Sequence, residues 1–399
     1  MNEKSFDTTN MVNGPLNLVR LIGEIDGISK IIYVFFDIHI RIKKCPEDYS
    51  IDIDKYIIRE FNRINNDITY DFYIEAPFQY YKNDYDFKTN IYLNDIREMF
   101  YKSLKIDTES KKMLMSQFNS NLRVHLLDMR IVGFLEDTYQ LASSLPEAYY
   151  NGNKPLIYSI LEDLINRIET INKMLISEKS ITDMKVTDIM QDKILNDDYL
   201  PKLIKKLQED YIHNDIGVYI RSQINDIIKK FDNVTKKCNN LLDKMKKLRT
   251  ELLSMNNKRF YDKYLGIYRY NWYSLPEFVI EYSDDIKSSI LLEADICFSF
   301  VLLMDLYFLR RFLDKDYATH GIFYGGAHHS CEIIWYLVTL FGFKITHFNY
   351  SSIDSLDEII KKIKNSSGLE ENFKSVSDIF YPPIFVQCVN MNNFPKDFM

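Results

Sequence analysis

The sequence predicts an α/β fold, with a mostly parallel or mixed central sheet flanked by helices and a long helical, coiled-coil-like insertion. Three observations carry this. Short apolar runs alternate with helix-period segments over the first third of the chain, and charged heptads fill the middle. Late in the chain, HGIFYGGAHHSCEIIWYLVTLFGF passes from a strand-like run through two glycines into a helical segment.

IIYVFF (31–36) is a buried-strand candidate, and DIDKYIIREFNRI (52–64) has helical spacing at Tyr56, Ile57, Phe61 and Ile64. ITYDFYIE (68–75) is a second strand, LNDIREMFYKSL a helix, and NLRVHLLDMR (121–130) a third strand. This β-α-β-α-β order suggests parallel pairing with right-handed crossovers. From about 155 to 260 the pattern becomes long, charged and helical. Ile157, Leu161, Leu164, Ile168, Ile171 and Leu175 alternate steps of four and three, as do Ile227, Phe231, Val234, Cys238, Leu241, Met245, Leu248, Leu252 and Met255. Two such seams are expected to pack as an antiparallel helical insertion, with a dimerisation arm as the other reading. The expected division is therefore an α/β core of residues 1–150 and 265–399 around an insertion of 151–264. A core helix (288–313) follows, then the glycine-histidine strand (320–324), a helix (about 331–341), the strand FKITHF (343–348) and the helix IDSLDEIIKKI. The tail PPIFVQCV suits an edge strand because of its prolines.

Hydrophobic residues make up 46% of the 399 and aromatics 14%, the composition of a folded globular chain. A net charge of -7 gives no global footprint for nucleic acid, and no such partner is expected. Cys45, Cys238, Cys297, Cys331 and Cys388 form no CxxC pair and read as free thiols of a reducing compartment. The N-terminal stretch lacks the apolar core of a signal peptide. SSILLEADICFSFVLLMDLYFLRRF, broken by Glu293, Asp295 and Asp305, reads as a buried helix rather than a membrane span. A cytoplasmic location is the expectation, and no membrane partner. The P-loop, G-x-G-x-x-G, H-E-x-x-H, G-x-S-x-G and kinase signatures are absent.

Chemistry concentrates at strand ends. The first strand runs into Asp37-Ile38-His39, of which Asp37 and His39 share a side if the strand persists, and a carboxylate beside an imidazole fixes its tautomer and raises its basicity. Glu75 ends the second strand before Ala76-Pro77, where pairing should stop; it is a second acid, base or ligand, or simply an edge charge. Asp128 and Arg130 suggest an ion pair that is structural or positions an anion, and His125 reads as a hydrogen-bonded core histidine. In the Gly325-Gly326-Ala-His-His turn one histidine should face the site. His328 is favoured with His329 close behind, and His320 lies at the strand's opposite end. Ser330 would cap the following helix, with Glu332 in its first turn. The catalytic candidates are thus Asp37, His39, Glu75, His328 and Arg130, and the candidate metal ligands are His39, Glu75, His328 and His329.

These motifs resemble a superfamily that includes erythromycin esterases, Tiki/TraB-type proteins and ChaN-like haem-binding lipoproteins. Asp37 and His39 match its acid-x-His strand end, Glu75 its second-strand Glu, and Gly325 with His328 its Gly-x-x-His. Asp37 departs from the usual Glu. The layout of 31–130 and 288–348, with its DLYFLRRF helix, is also similar to uncharacterised proteins of giant DNA viruses, which implies the host cytoplasm or the virion. The resemblance implies hydrolysis of an ester or peptide bond in a small-molecule or peptide substrate, with a divalent metal (Mn, Co or Zn) as a variant. Other readings are a non-catalytic virion-associated protein whose helical arm binds a protein partner or self-associates, and haem or iron binding by the histidines.

Overall fold

The computed structural model describes residues 10–46, 50–64, 67–77, 91–106, 113–115, 122–128, 133–150, 154–176, 199–208, 211–247, 280–366 and 369–399. The first elements are β1 (Met11–Asn13), β2 (Asn17–Ile25), β3 (Ile28–Asp37), β4 (Lys43–Lys44), β5 (Ile51–Asp52) and α1 (Ile53–Arg63). Then come β6 (Tyr70–Pro77), α2 (Tyr92–Ser103), β7 (Leu104–Ile106), β8 (Met113–Met115) and β9 (Leu122–Asp128). Helices α3 (Gly133–Tyr150), α4 (Lys154–Ile176), α5 (Tyr199–Gln208), α6 (Asn214–Lys247) and α7 (Ile280–Leu313) follow. The last are β10 (His320–Gly326), α8 (Ala327–Thr339), β11 (Lys344–Phe348), α9 (Leu356–Lys364), α10 (Leu369–Phe380) and β12 (Val386–Asn390).

The chain divides into two units, Met1–Asp128 with Tyr307–Met399, and Met129–Leu306. In the first, six strands pair in the order β11-β2-β3-β10-β6-β9. β3, β10, β6 and β9 are parallel, whereas β2 is antiparallel to both neighbours, so the sheet is mixed. Asp26 and Gly27 adopt positive φ, 48° and 84°, as a two-residue hairpin turn requires, and fold β2 onto β3. The β-α-β-α-β succession of β3, α1, β6, α2 and β9 gives parallel strands, but β3 and β6 do not touch. β10 lies between them. Apart from its first residue it is wholly buried, and every side chain from Gly321 onward is apolar, aromatic or glycine, so the middle of the sheet suits it. At Gly321 a Cβ would stand 2.9 Å from the Phe312 ring, so this crowded strand admits no side chain there.

The tail strand β12 is not an edge strand. It lies second in the small sheet β4-β12-β1-β5, because Pro382 and Pro383 precede it and leave its N–H groups intact. β12 pairs with β4 through Gln387 opposite Lys44, which sets Cys388 beside Cys45, and these two form a disulfide with Cα atoms 4.8 Å apart. The free-thiol expectation therefore fails for this pair, whose partners are 343 positions apart, and holds for Cys238, Cys297 and Cys331.

The second unit is helical. Ile157, Leu161, Leu164, Ile168, Ile171 and Leu175 on α4, and Ile227, Phe231, Val234, Cys238 and Leu241 on α6, are all buried. α4 packs against α3 and α5 as well as α6, so the two seams belong to a multi-helix unit rather than to an isolated pair. Met245 and Leu248, Leu252 and Met255 lie outside the side chains described. The unit extends beyond the 151–264 read from the heptads because α3 packs on α4 and the start of α7 is fastened to α3 and α6. Glu293 accepts from Ser143, and Asp295 and Asp285 pair with Lys237 and Lys244. Among the described residues no helix is long and apolar enough to cross a membrane.

Lys30 of β3 is fully buried, and its ammonium donates to three carbonyls beyond or at the end of α7: Phe312 at 3.0 Å, Lys315 at 2.9 Å and Ala318 at 2.8 Å. Three hydrogens meet three acceptors, and the charge sits at the negative end of a helix. Burial lowers its pKa to about 8 against the pull of Asp316, Asp71 and Asp314, so it remains an ammonium at neutral pH. Lys30→Met removes the ammonium from all three carbonyls, of which Lys315 O keeps the Ala318 N–H at 3.0 Å, and should cost about 3 kcal/mol in a urea melt. Reducing Cys45–Cys388 should cost roughly 2–4 kcal/mol, a loss that the Cys45→Ser variant shows without reductant and does not increase with it.

Candidate active site

The carboxyl ends of β3, β10 and β6 lie side by side, with Gly326 opposite Asp37 and Tyr324 opposite Ile74. This is the edge at which open α/β sheets place their sites. β3 stops at Asp37, and His39 does not continue the pleat. Its backbone turns left-handed at φ 40°, which folds the imidazole back onto its own strand end. The Asp37 carboxylate Oδ2 accepts the His39 backbone N–H at 2.8 Å and lies 2.8 Å from Nδ1, and Oδ1 accepts from the Tyr324 hydroxyl at 3.1 Å. Burial first, then the neighbouring Asp37, pushes the Tyr324 phenol well above its ordinary value, so it stays a donor.

Pairing of β6 does not end before Ala76-Pro77. It continues to Pro77 opposite Asp128, with a register shift after Ile74 that releases Glu75 from the ladder and re-aims its side chain. The Glu75 carbonyl is taken up by Arg97 of α2, Nε at 2.8 Å and Nη2 at 2.5 Å, and Arg97 also lies 4.0 Å from Asp128. The Glu75 carboxylate, 1% exposed, accepts the Gly326 N–H at 2.6 Å. It lies 3.5 Å from His39 Nε2 through Oε2 and 3.8 Å from His329 Nε2 through Oε1. Gly326 gives these groups room: a Cβ there would stand 3.0 Å from His39 Nε2 and 3.2 Å from Glu75 Oε2, so both side chains would have to shift by a few tenths of an ångström.

α8 starts at Ala327, four residues before the expected 331, so both adjacent histidines ride its first turn. About 100° of helical rotation separates them. His329 is buried toward Glu75, while the His328 ring packs on Phe373 at 4.6 Å. The histidine beside Glu75 is therefore His329 rather than His328. Ser330 does not cap α8. Gly326 is the N-cap, and the Ser330 hydroxyl donates to Phe35 O at 2.8 Å. Arg130 lies outside the described residues. Tyr324 and Arg97 were not among the residues singled out above; both sit in segments read correctly as strand and helix, where polarity facing a strand end was the available signal.

His320 starts β10, and His125 lies midway along β9, opposite Tyr73. His125 is wedged between Asp71 at 2.8 Å and Arg311 at 3.2 Å and stacks on Tyr73, and its pKa is lowered, by burial first. His320 packs edge-on to Tyr70. Among the described residues no group of three or more His, Cys, Asp or Glu side chains could hold a metal ion.

His39 is the reachable member of the cluster, with 46% of its side chain exposed. Burial opposes its charge, but hydrogen bonds and attraction from Asp37 and Glu75 outweigh this and lift its pKa from 6.5 to about 10. The folded-state value exceeds the unfolded one, so the stabilisation it provides is complete below about pH 6.5 and is lost as pH rises through about 10.

A family model described as "Family of unknown function (DUF5847)" matches residues 10–399. Three proteins of Acanthamoeba polyphaga mimivirus, a giant DNA virus, are similar along nearly their whole length. Uncharacterized protein R706 is 27% identical over 97% of each chain. Uncharacterized protein R161 is 28% identical over 97% of this chain and 98% of its own. Uncharacterized protein R160 is 28% identical over 93% and 96%. No solved structure matches.

Glu75→Gln keeps an acceptor for Gly326 and removes the charge that holds the proton on His39. The His39 midpoint in an NMR titration should fall by at least about one unit; an unmoved midpoint would show that Asp37 alone sets it.

Proposed function

The chain belongs to the DUF5847 family, and from that premise, which carries no activity with it, we propose that the protein is a hydrolase of ester or peptide bonds whose proton-transfer atom is His39 Nε2. The observation that supports this reading is the row Asp37, His39, Glu75 at one strand edge, buried at both ends and open to solvent in the middle. Asp37 fixes Nδ1 and so leaves Nε2, 3.5 Å from Glu75 Oε2, as the atom that exchanges the proton. In its neutral form Nε2 takes a proton from water as the water oxygen attacks the carbonyl carbon; the imidazolium then returns that proton to the leaving group. Glu75 stabilises the imidazolium between the two steps. Developing negative charge on the carbonyl oxygen would be met by the amino end of α8, which starts where β10 ends.

The likeness to erythromycin esterases, Tiki/TraB-type and ChaN-like proteins rests on Asp37, His39 and Glu75 and on Gly325 with His328, whose ring packs on Phe373 rather than joining the row; it favours ester and peptide bonds. The shorter Asp37 is compensated by the left-handed turn at His39, which brings the imidazole to it.

A panel of p-nitrophenyl esters and peptides, with and without Mn, Co or Zn, tests the proposal. His39→Ala should lower kcat/KM by roughly 100-fold or more. The wild-type rate should climb with pH toward about 10, where the base form of His39 becomes populated. Wild-type turnover that survives in His39→Ala on every substrate would overturn it.

A further inference from the structure

We propose that the Cys45–Cys388 disulfide is a redox latch on the candidate site: a dithiol reductant opens it, the segment that follows His39 comes away from β12, and the imidazole leaves its place beside Glu75. Only the effect on turnover rests on the hydrolase reading. The latch itself rests on how that segment is held.

His39 stands at the head of a short piece of chain that ends at Cys45. Just before the cysteine, Lys43 and Lys44 form β4, an exposed strand at the edge of its sheet, paired through these two positions with Val386 and Gln387 of β12. β12 is anchored independently of that piece. It pairs with β1 across Met11–Asn13, its Gln387 carbonyl accepts from the Gly14 N–H at 3.3 Å, and its Asn390 N–H donates to Asn349 at 2.9 Å. Cys388 is thus fixed to the body of the first unit, and the disulfide fixes Cys45 to it.

Without the covalent bond the piece keeps a few hydrogen bonds. The Gln387 amide donates to Ile40 O at 2.9 Å and accepts from the Ile42 N–H at 2.8 Å, the Cys45 N–H donates to Asn13 at 3.0 Å, and Arg41 pairs with Asp95, both side chains partly exposed. Hydrogen bonds at an exposed two-residue edge open at small cost, whereas a covalent bond six residues after His39 keeps the edge closed. Asp37 stays two residues from His39 whatever this piece does. Glu75 comes from another strand, so its 3.5 Å contact with Nε2 is the one that the latch preserves.

Both bonded cysteines are half-buried rather than sealed in the core, so a thiol can reach them. A thiolate of the dithiol attacks one sulfur to give a mixed disulfide, which its second thiol displaces. Two electrons and two protons pass to Cys45 and Cys388, the reductant leaves as its own disulfide, and a disulfide oxidant runs the exchange backwards.

The test uses the full chain, wild type and Cys45→Ser, with the bond counted by mass spectrometry after iodoacetamide and folding followed by circular dichroism. The His39 midpoint in an NMR titration should lie near 10 with the bond closed. It should fall by at least about one unit after dithiothreitol, return on reoxidation with oxidised glutathione, and stay low in Cys45→Ser with or without reductant. Any ester turnover should drop at least 10-fold on reduction and recover with the bond. An unmoved midpoint in reduced, folded wild type overturns the latch. So does a reduced chain that loses its circular dichroism signal, since the bond would then hold the whole fold rather than one segment. A midpoint that follows the bond while neither form hydrolyses an ester supports the latch and sinks the hydrolase reading instead.

Discussion

The hydrogen bond from the Gly326 N–H to the Glu75 carboxylate fastens the carboxyl edge of the sheet. It exists because β10 lies between β3 and β6 and because its last two residues are glycines. A side chain at Gly326 would crowd both the His39 ring and the Glu75 carboxylate, which reach toward each other over this residue from the strands on either side. The middle strand contributes its backbone and Tyr324, and the outer strands contribute charge. Burying two carboxylates side by side is tolerable only where donors meet them, and here Tyr324, the His39 N–H and ring, Gly326 and His329 supply or approach that role.

Much of the sheet was legible because strand signals are local. Residues 31–36, 68–75 and the run ending in Gly325-Gly326 are apolar enough to announce themselves, and Asp37 and Glu75 mark their ends. β2 was missed even though Asp26-Gly27 between apolar runs is a hairpin signal of the clearest kind. What remained hidden depends on pairing between distant segments. The position of β10 next to β3, the register shift that turns Glu75 and the meeting of Cys45 with Cys388 follow from β-pairing, which leaves no trace in any one segment.

The choice between adjacent histidines shows the same limit on a smaller scale. A helix begun at 331 would leave His328 and His329 in a loop; begun at Ala327 it fixes both directions by rotation alone, one toward the carboxylate and one toward Phe373. Likewise the Asp-x-His spacing suggested a shared strand face, whereas the contact is made by a left-handed turn immediately beyond the strand. Residue types were informative, and backbone conformation decided their geometry.

The bond between Cys45 and Cys388 closes a covalent ring that contains β6, the entire helical unit and β10. During biosynthesis Asp37, His39 and Glu75 leave the ribosome long before the glycine strand and the tail that complete their surroundings. Asp37 meets His39 within its own segment, whereas Glu75 finds the Gly326 N–H only through the late strand β10.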